Sequence, residues 1–243
     1  MRSKLIFCLF TLFFVLFSCQ SINSNRAELG IPQKTVFFTF DDGPDEHTTA
    51  GLLDVLEKYQ IKALFCLLGE NAQQYPELVK RIHDEGHYII NHGFSDKWAV
   101  RMSDDEFRDN LIRGERAIST ALGFDMNPKL YRPQGGFYNS RQEKICINEG
   151  FIIVPVTIRV YDAVLTTAER EKVVKETVNM VKNQNGGMIL LHDARDSHYR
   201  KETELEKNPN SPYNRSWIIE AVEEIIISLL GMGFELNNAY FTD

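Results

Sequence analysis

From about residue 34 onward, short continuous apolar runs alternate with longer stretches in which apolar residues recur at helical spacing. Lys34 to Phe40 reads as the first strand, and Leu52, Val55, Leu56 and Tyr59 then mark a helix. Ile61 to Leu68 is the next strand-length run. A second helix carries Pro76, Leu78, Val79 and Ile82, closes at Gly86 and leads into a strand at Tyr88 to Ile90. Ser103 and Glu106 form a capping-box pair ahead of a long amphipathic helix bearing Phe107, Leu111, Ile118 and Leu122, which ends at Gly123. Lys129 to Tyr131, Phe151 to Val156 and Met188 to Leu191 are further buried strands. The last two of these are separated by a helix with Val174, Val178 and Val181 on one face. A final helix from Ile218 to Leu229 precedes a closing strand near Phe234 to Leu236. This alternation predicts an α/β domain over 34–243 with parallel strands and outer helices, either a barrel or an open doubly wound sheet.

What precedes residue 34 follows another pattern. Arg2 and Lys4 introduce an apolar run from Leu5 to Phe17 that is shorter than the ~20 residues of a spanning helix, so residues 1–18 read as an export signal. Leu16-Phe17-Ser18-Cys19 resembles a bacterial lipoprotein processing site, with Cys19 the lipidated first residue and a membrane anchor. The expected location is the cell envelope, a secreted soluble form being the alternative. Residues 19–33 are polar and read as a flexible tether. The stretch from Ala194 to Pro212 is also polar; its neighbourhood offers Tyr199 and Tyr213 as sugar-stacking rings. A net charge of −7 and the lack of any basic run exclude a nucleic-acid partner. Cys66 and Cys146 fall in apolar patterns and are expected as buried thiols.

Candidate chemistry lies where apolar strands give way to polar residues. Asp41 and Asp42 follow the first strand, His92 and Asp96 follow Ile89-Ile90-Asn91, Arg132 follows Leu130-Tyr131, Asp162 lies beyond Val154-Pro155-Val156, and His192 with Asp193 follows Leu190-Leu191. In parallel α/β folds the carboxyl ends of strands share one face, so these side chains converge there. His92 and Asp96, at i and i+4, would share one side of a helical turn. With Asp42 they supply three N/O ligands and leave a position open for water, as catalytic metal sites do.

These residues resemble the motifs of the polysaccharide deacetylases, the NodB-homology carbohydrate esterases, in family order from about Thr35 to the C-terminus. Thr39 to Pro44 matches the first motif, Ile89 to Asp96 the second, Arg132 to Gly136 the third and Leu190 to Asp193 the fifth. The resemblance implies a distorted (β/α) barrel with about seven parallel strands and a hydrolase that removes N- or O-linked acetyl groups from a glycan. It further implies one divalent metal held by Asp42, His92 and Asp96, with zinc the first choice and cobalt, nickel, manganese or iron as alternatives. Asp41 would be the general base toward a metal-bound water, Arg132 its orienting partner, His192 the general acid and Asp162 the partner of His192. Asp96 stands where the family has a second histidine, and such an added carboxylate favours a harder ion than zinc. Gln134 and Gly135 replace a proline and a tyrosine; Arg159 and Ala163 replace the first aspartate and the tryptophan of the fourth motif. Those departures leave two alternatives, a degenerate glycan-binding lipoprotein of the same fold and a hydrolase of a non-acetyl amide. A glycosidase is disfavoured, since its two carboxyls must stand about 5 to 9 Å apart across the bond.

Overall fold

Apolar side chains on both faces make the strand Thr35–Gly43 (β2) the axis of the molecule, every residue of it buried. A computed structural model describes residues 19–194, 208 and 214–236. The apolar leader, Tyr199 and Tyr213 lie outside the described residues. The strands, in chain order, are Cys19–Ser21 (β1), β2, Leu64–Leu67 (β3), Tyr88–Asn91 (β4), Leu130–Tyr131 (β5), Phe137–Asn139 (β6), Ile152–Ile153 (β7), Ile158–Arg159 (β8), Gly187–His192 (β9) and Glu235–Leu236 (β10). Seven of them form one parallel sheet in the order β7-β5-β4-β3-β2-β9-β8, with β10 adding to the start of β2. The sheet curls into a half-barrel, as expected from the sequence.

Helices Thr49–Lys58 (α1), Gly69–Gln74 (α2), Pro76–Asp84 (α3), Asp104–Leu122 (α4), Ser140–Asn148 (α5), Arg170–Gln184 (α6) and Trp217–Gly231 (α7) connect or follow the strands. The expected capping box of α4 is present, and Gly123 caps its end in the left-handed conformation. A second capping box, Asn139 with Gln142, starts α5.

Alternation along the strands divides the core in two. Val36, Phe38 and Phe40 pack outward on Leu52, Leu56, Val181, Ile218 and Ile225 of the surrounding helices. Phe37, Leu64, Cys66, Ile90, Leu130, Met188 and Leu190 pack together inside the barrel. Continuing each inward series to the carboxyl end gives Asp41 on β2, His92 after β4, Arg132 after β5 and His192 on β9. The inner face is therefore apolar at one end and ionisable at the other. Cys66 and Cys146 are both free and buried.

The expected tether does not hold. Residues 19–33 lie against the domain: β1 pairs antiparallel with β6, and Ile22 and Ile31, 2% and 3% exposed, join the barrel interior. Val156, in the connection between the two edge strands β7 and β8, donates to Ile22 O at 3.0 Å and accepts from Ser24 N at 2.9 Å. A segment poor in apolar residues is fixed because its few apolar side chains enter the seam where the barrel stays open. Ile22→Ala is expected to lower unfolding stability by about 2–5 kcal/mol. Chemical denaturation checks this; a loose tether would leave the midpoint unmoved.

Candidate active site

β2 does not stop before its two aspartates, as the sequence had indicated, but runs through them to Gly43. Asp41 keeps the inward parity. Asp42 would face outward, but the register slips between Asp41 and Gly43 and Asp42 adopts a φ of 76°, so this bulge turns its side chain into the same cavity. Its carbonyl accepts from Asn71 Nδ2 at 2.7 Å, which holds the bulge in place.

Arg132, fully buried, crosses the barrel interior. Its Nη1 donates to Asp41 Oδ1 at 2.7 Å and to Thr39 Oγ1 at 2.8 Å, and its Nε donates to Val154 O at 3.4 Å. Burial pushes the Asp41 carboxyl up, but Arg132, helped by His92 and His192, outweighs it and leaves Asp41 below the ordinary carboxylate value.

A second charged assembly faces the first. His192 Nδ1 lies 2.9 Å from Asp162 Oδ1, and its backbone N–H donates to Asp162 Oδ2 at 3.1 Å. Arg215 completes it, donating from Nη1 to Asp162 O at 2.6 Å, from Nη2 to His192 O at 2.9 Å, and also from Nη2 to Asp162 Oδ2. Burial opposes charge on both partners. The pairing still lowers Asp162 to about 2 and raises His192 to about 9. With Nδ1 on Asp162, Nε2 of His192 is left for the cavity. No local pattern marks Arg215, which follows the polar stretch and meets Asp162 only through the fold.

Of the three expected metal ligands, two are adjacent. His92 Nδ1 lies 2.8 Å from the Arg132 carbonyl, which only accepts, so Nδ1 carries the proton and Nε2 is turned toward Asp42 Oδ1 at 3.3 Å. A lone pair facing a carboxylate is relieved by a proton on Nε2 or by a cation between the two, and the carbonyl behind Nδ1 is the usual support of a metal-binding histidine. This pair fits a divalent cation. Asp96 is buried and lines the same cavity, but among the described residues no three His, Cys, Asp or Glu side chains gather closely enough to form a ligand set. The helical turn expected for His92 and Asp96 is also absent. Gly93, at φ 80°, and a loop separate them, and a Cβ at Gly93 would strike Gln134 and Asn110, so the position admits only glycine.

The cavity over these groups has a volume of about 240 Å³. A larger depression beside α4, lined by Ile112, Arg116 and Phe124 among others, holds the ion pair of Lys129 with Glu115 and lies apart from Asp41 and His192. The altered motifs form the cleft's walls. Trp98 occupies room above Gly135, where a Cβ would come within 2.9 Å of the indole, and Arg159 lies against Gly136. Ala163, Phe137 and Tyr161 also line the cleft.

Comparison with known proteins places this arrangement among relatives. A model described as polysaccharide deacetylase matches residues 30–152. A peptidoglycan-N-acetylglucosamine deacetylase of Bacillus cereus is 35% identical over 175 residues, 72% of this chain and 58% of that relative. Another protein of that name from the same organism is 31% identical over 162 residues, 67% of this chain and 74% of its own length. The chain therefore spans less than two thirds of the first relative. Among solved structures, a peptidoglycan N-acetylglucosamine deacetylase in complex with a benzamide ligand superposes with a TM-score of 0.66 and 29% identity, over 85% of this chain and 86% of that one.

The pairing of His192 with Asp162 has a pH signature. A histidine raised in the folded state stabilises the fold fully below its unfolded value of 6.5, and that contribution is lost as pH rises through about 9. Asp162, lowered, contributes above 3.8 and loses its share as pH falls through about 2. In Asp162→Asn, the NMR titration of the His192 imidazole is expected to fall from about 9 toward 6.5. An unchanged titration would show that Asp162 does not hold the charge.

Proposed function

This chain belongs to the polysaccharide deacetylase family, and on that premise we propose that it hydrolyses acetyl groups from an N-acetylated glycan of the peptidoglycan kind in the cell envelope. The observation that carries the reading is one of register: Asp41 on β2 is the Cα partner of His192 on β9. Neighbouring parallel strands lie about 4.8 Å apart, so a base and an acid project side by side from one face. Their surroundings push them in opposite directions, Asp41 toward the ionised carboxylate and His192 toward the imidazolium. That division suits hydrolysis of an amide, in which one proton leaves the attacking water and another must reach the departing nitrogen.

In this mechanism Asp41 accepts the proton of the attacking water while Arg132 keeps the carboxylate ionised and fixes its orientation. His192 delivers a proton from Nε2 to the leaving group, and Asp162, held by Arg215, keeps the imidazole in the required tautomer. Asp42 and His92, with Asp96 on the same cavity wall, would hold a divalent cation. When bound, it supplies Lewis-acid polarisation of the acetyl carbonyl and eases deprotonation of water. An N-terminal lipid on Cys19 belongs to the same reading, and loss of fatty-acid labelling in Cys19→Ser would support it.

The test is acetate release from peptidoglycan fragments after chelation and reconstitution with zinc, cobalt, nickel, manganese or iron. Chelation is expected to abolish release, and one of these ions to restore it. Asp41→Asn is expected to lower kcat by about 10²–10⁴-fold with the fold intact. Full activity in Asp41→Asn would overturn the assignment of the base. Absence of acetate under every metal, with glycan binding retained, would make the chain a binder, and release of another product would make it a different amidohydrolase.

A further inference from the structure

Arg159 stands where the family resemblance places an aspartate, so the cleft gains a cation where an anion is usual. It occupies the inward position of β8 and lines the same cavity as Asp41 and His192. Its Nη2 donates to Gly135 O at 3.0 Å, and its guanidinium lies 5.9 Å from the Phe137 ring and 5.2 Å from the Tyr161 ring. None of the ion pairs among the described residues includes it. Arg81, Arg108 and Arg170, by contrast, each find a carboxylate. In a chain with 34 acidic and 27 basic residues, a half-buried arginine served by one carbonyl and two rings has donor capacity left over.

The wall is shaped to seat it. Gly136 has a φ of 75°, and a Cβ there would come within 2.6 Å of Arg159 Nη1. Tyr161 takes a φ of 60° with 66% of its surface exposed, which brings an exposed ring beside the guanidinium. Two half-open aromatic faces with a charged fork between them suit a sugar that bears an acid.

We propose that Arg159 forms an anion-recognition subsite for a carboxylate carried by the sugar next to the one that loses its acetyl group. The proposal rests on the deacetylase reading and specifies its substrate. A planar carboxylate accepts two parallel N–H bonds from a guanidinium. A phosphate dianion would meet greater repulsion from Asp41, Asp42 and Asp96 on the cavity wall. The carboxylate has two chemical sources in acetylated glycans, a lactyl ether as in N-acetylmuramic acid, or a uronic acid.

Binding is measured by calorimetry on the full chain carrying Asp41→Asn, which prevents turnover. The probes are a disaccharide of N-acetylglucosamine and N-acetylmuramic acid, its methyl ester, and a disaccharide of N-acetylglucosamine and glucuronic acid. At least one free acid is expected to bind about tenfold more tightly than the ester, and whichever acid does so identifies the source. Arg159→Gln is expected to bring the ratio of acid to ester affinity close to one, with Arg159→Lys retaining part of it. In acetate release by the otherwise unaltered enzyme, Arg159→Gln is expected to raise KM for the acid about tenfold more than for the ester, with the difference in KM and not in kcat. Equal binding of acids and ester, or equal weakening of both by Arg159→Gln, would overturn the subsite and leave a packing role. A preference for acid over ester without acetate release from any substrate would uphold the subsite and refute the deacetylase reading. Acetate release with equal KM for acid and ester would do the reverse.

Discussion

The contact between Arg132 and Asp41 is the constraint around which the barrel is arranged. A guanidinium with no solvent exposure inside a β-barrel is tolerable only if every polar neighbour is in register with it. Asp41, Thr39, Val154 and Pro155 all contribute acceptors. Burying such a pair costs about as much as its attraction returns, so it is a poor source of stability. Breaking one side of it is costly, because the other charge stays buried alone. Its value lies in fixing one carboxylate, ionised and oriented, at the mouth of the barrel.

The same economy of geometry places the second pair. Thr39 donates to Ile189 O on β9 while accepting from Arg132, so the ladder between β2 and β9 and the interior ion pair share a hydroxyl. Two residues further along the same pair of strands, Asp41 and His192 meet as register partners. Each has its own counter-charge on the side away from the other, Arg132 for Asp41 and Asp162 for His192. The site thus keeps a carboxylate and an imidazolium as neighbours without collapsing them into a single neutral pair.

Much of this was legible along the chain, because parity on a buried strand is a sequence property. The switch from apolar to ionisable residues at the strand ends is enough to place Asp41, His92, Arg132 and His192 on one rim. What was missed depends on contacts between distant segments. The polar stretch 19–33 looked like a tether because composition cannot show that Ile22 and Ile31 have a seam to enter. His92 and Asp96 were given a helical turn that the left-handed Gly93 forbids, and the inward turn of Asp42 requires a bulge that no local pattern announces. Arg215 carried no signal because its partner lies on the far side of the polar stretch, in a 3-10 turn between β8 and α6.

The substitutions in the third and fourth motifs belong to the walls, and the geometry explains why change accumulates there. Asp41, Arg132 and His192 on the inward rim are each held by a buried counter-charge, so replacing one leaves its partner's charge buried alone. Gly135, Gly136, Trp98, Arg159 and Ala163 line the mouth, where among the described residues no buried ion pair ties them down. Small residues on one side of the cleft leave space that large ones from another segment occupy: Trp98 lies over Gly135, and Arg159 over Gly136. Such an exchange keeps the cleft walled while changing the chemistry of its surface. It leaves the proton-transfer groups in place and moves specificity to side chains that the family pattern does not include.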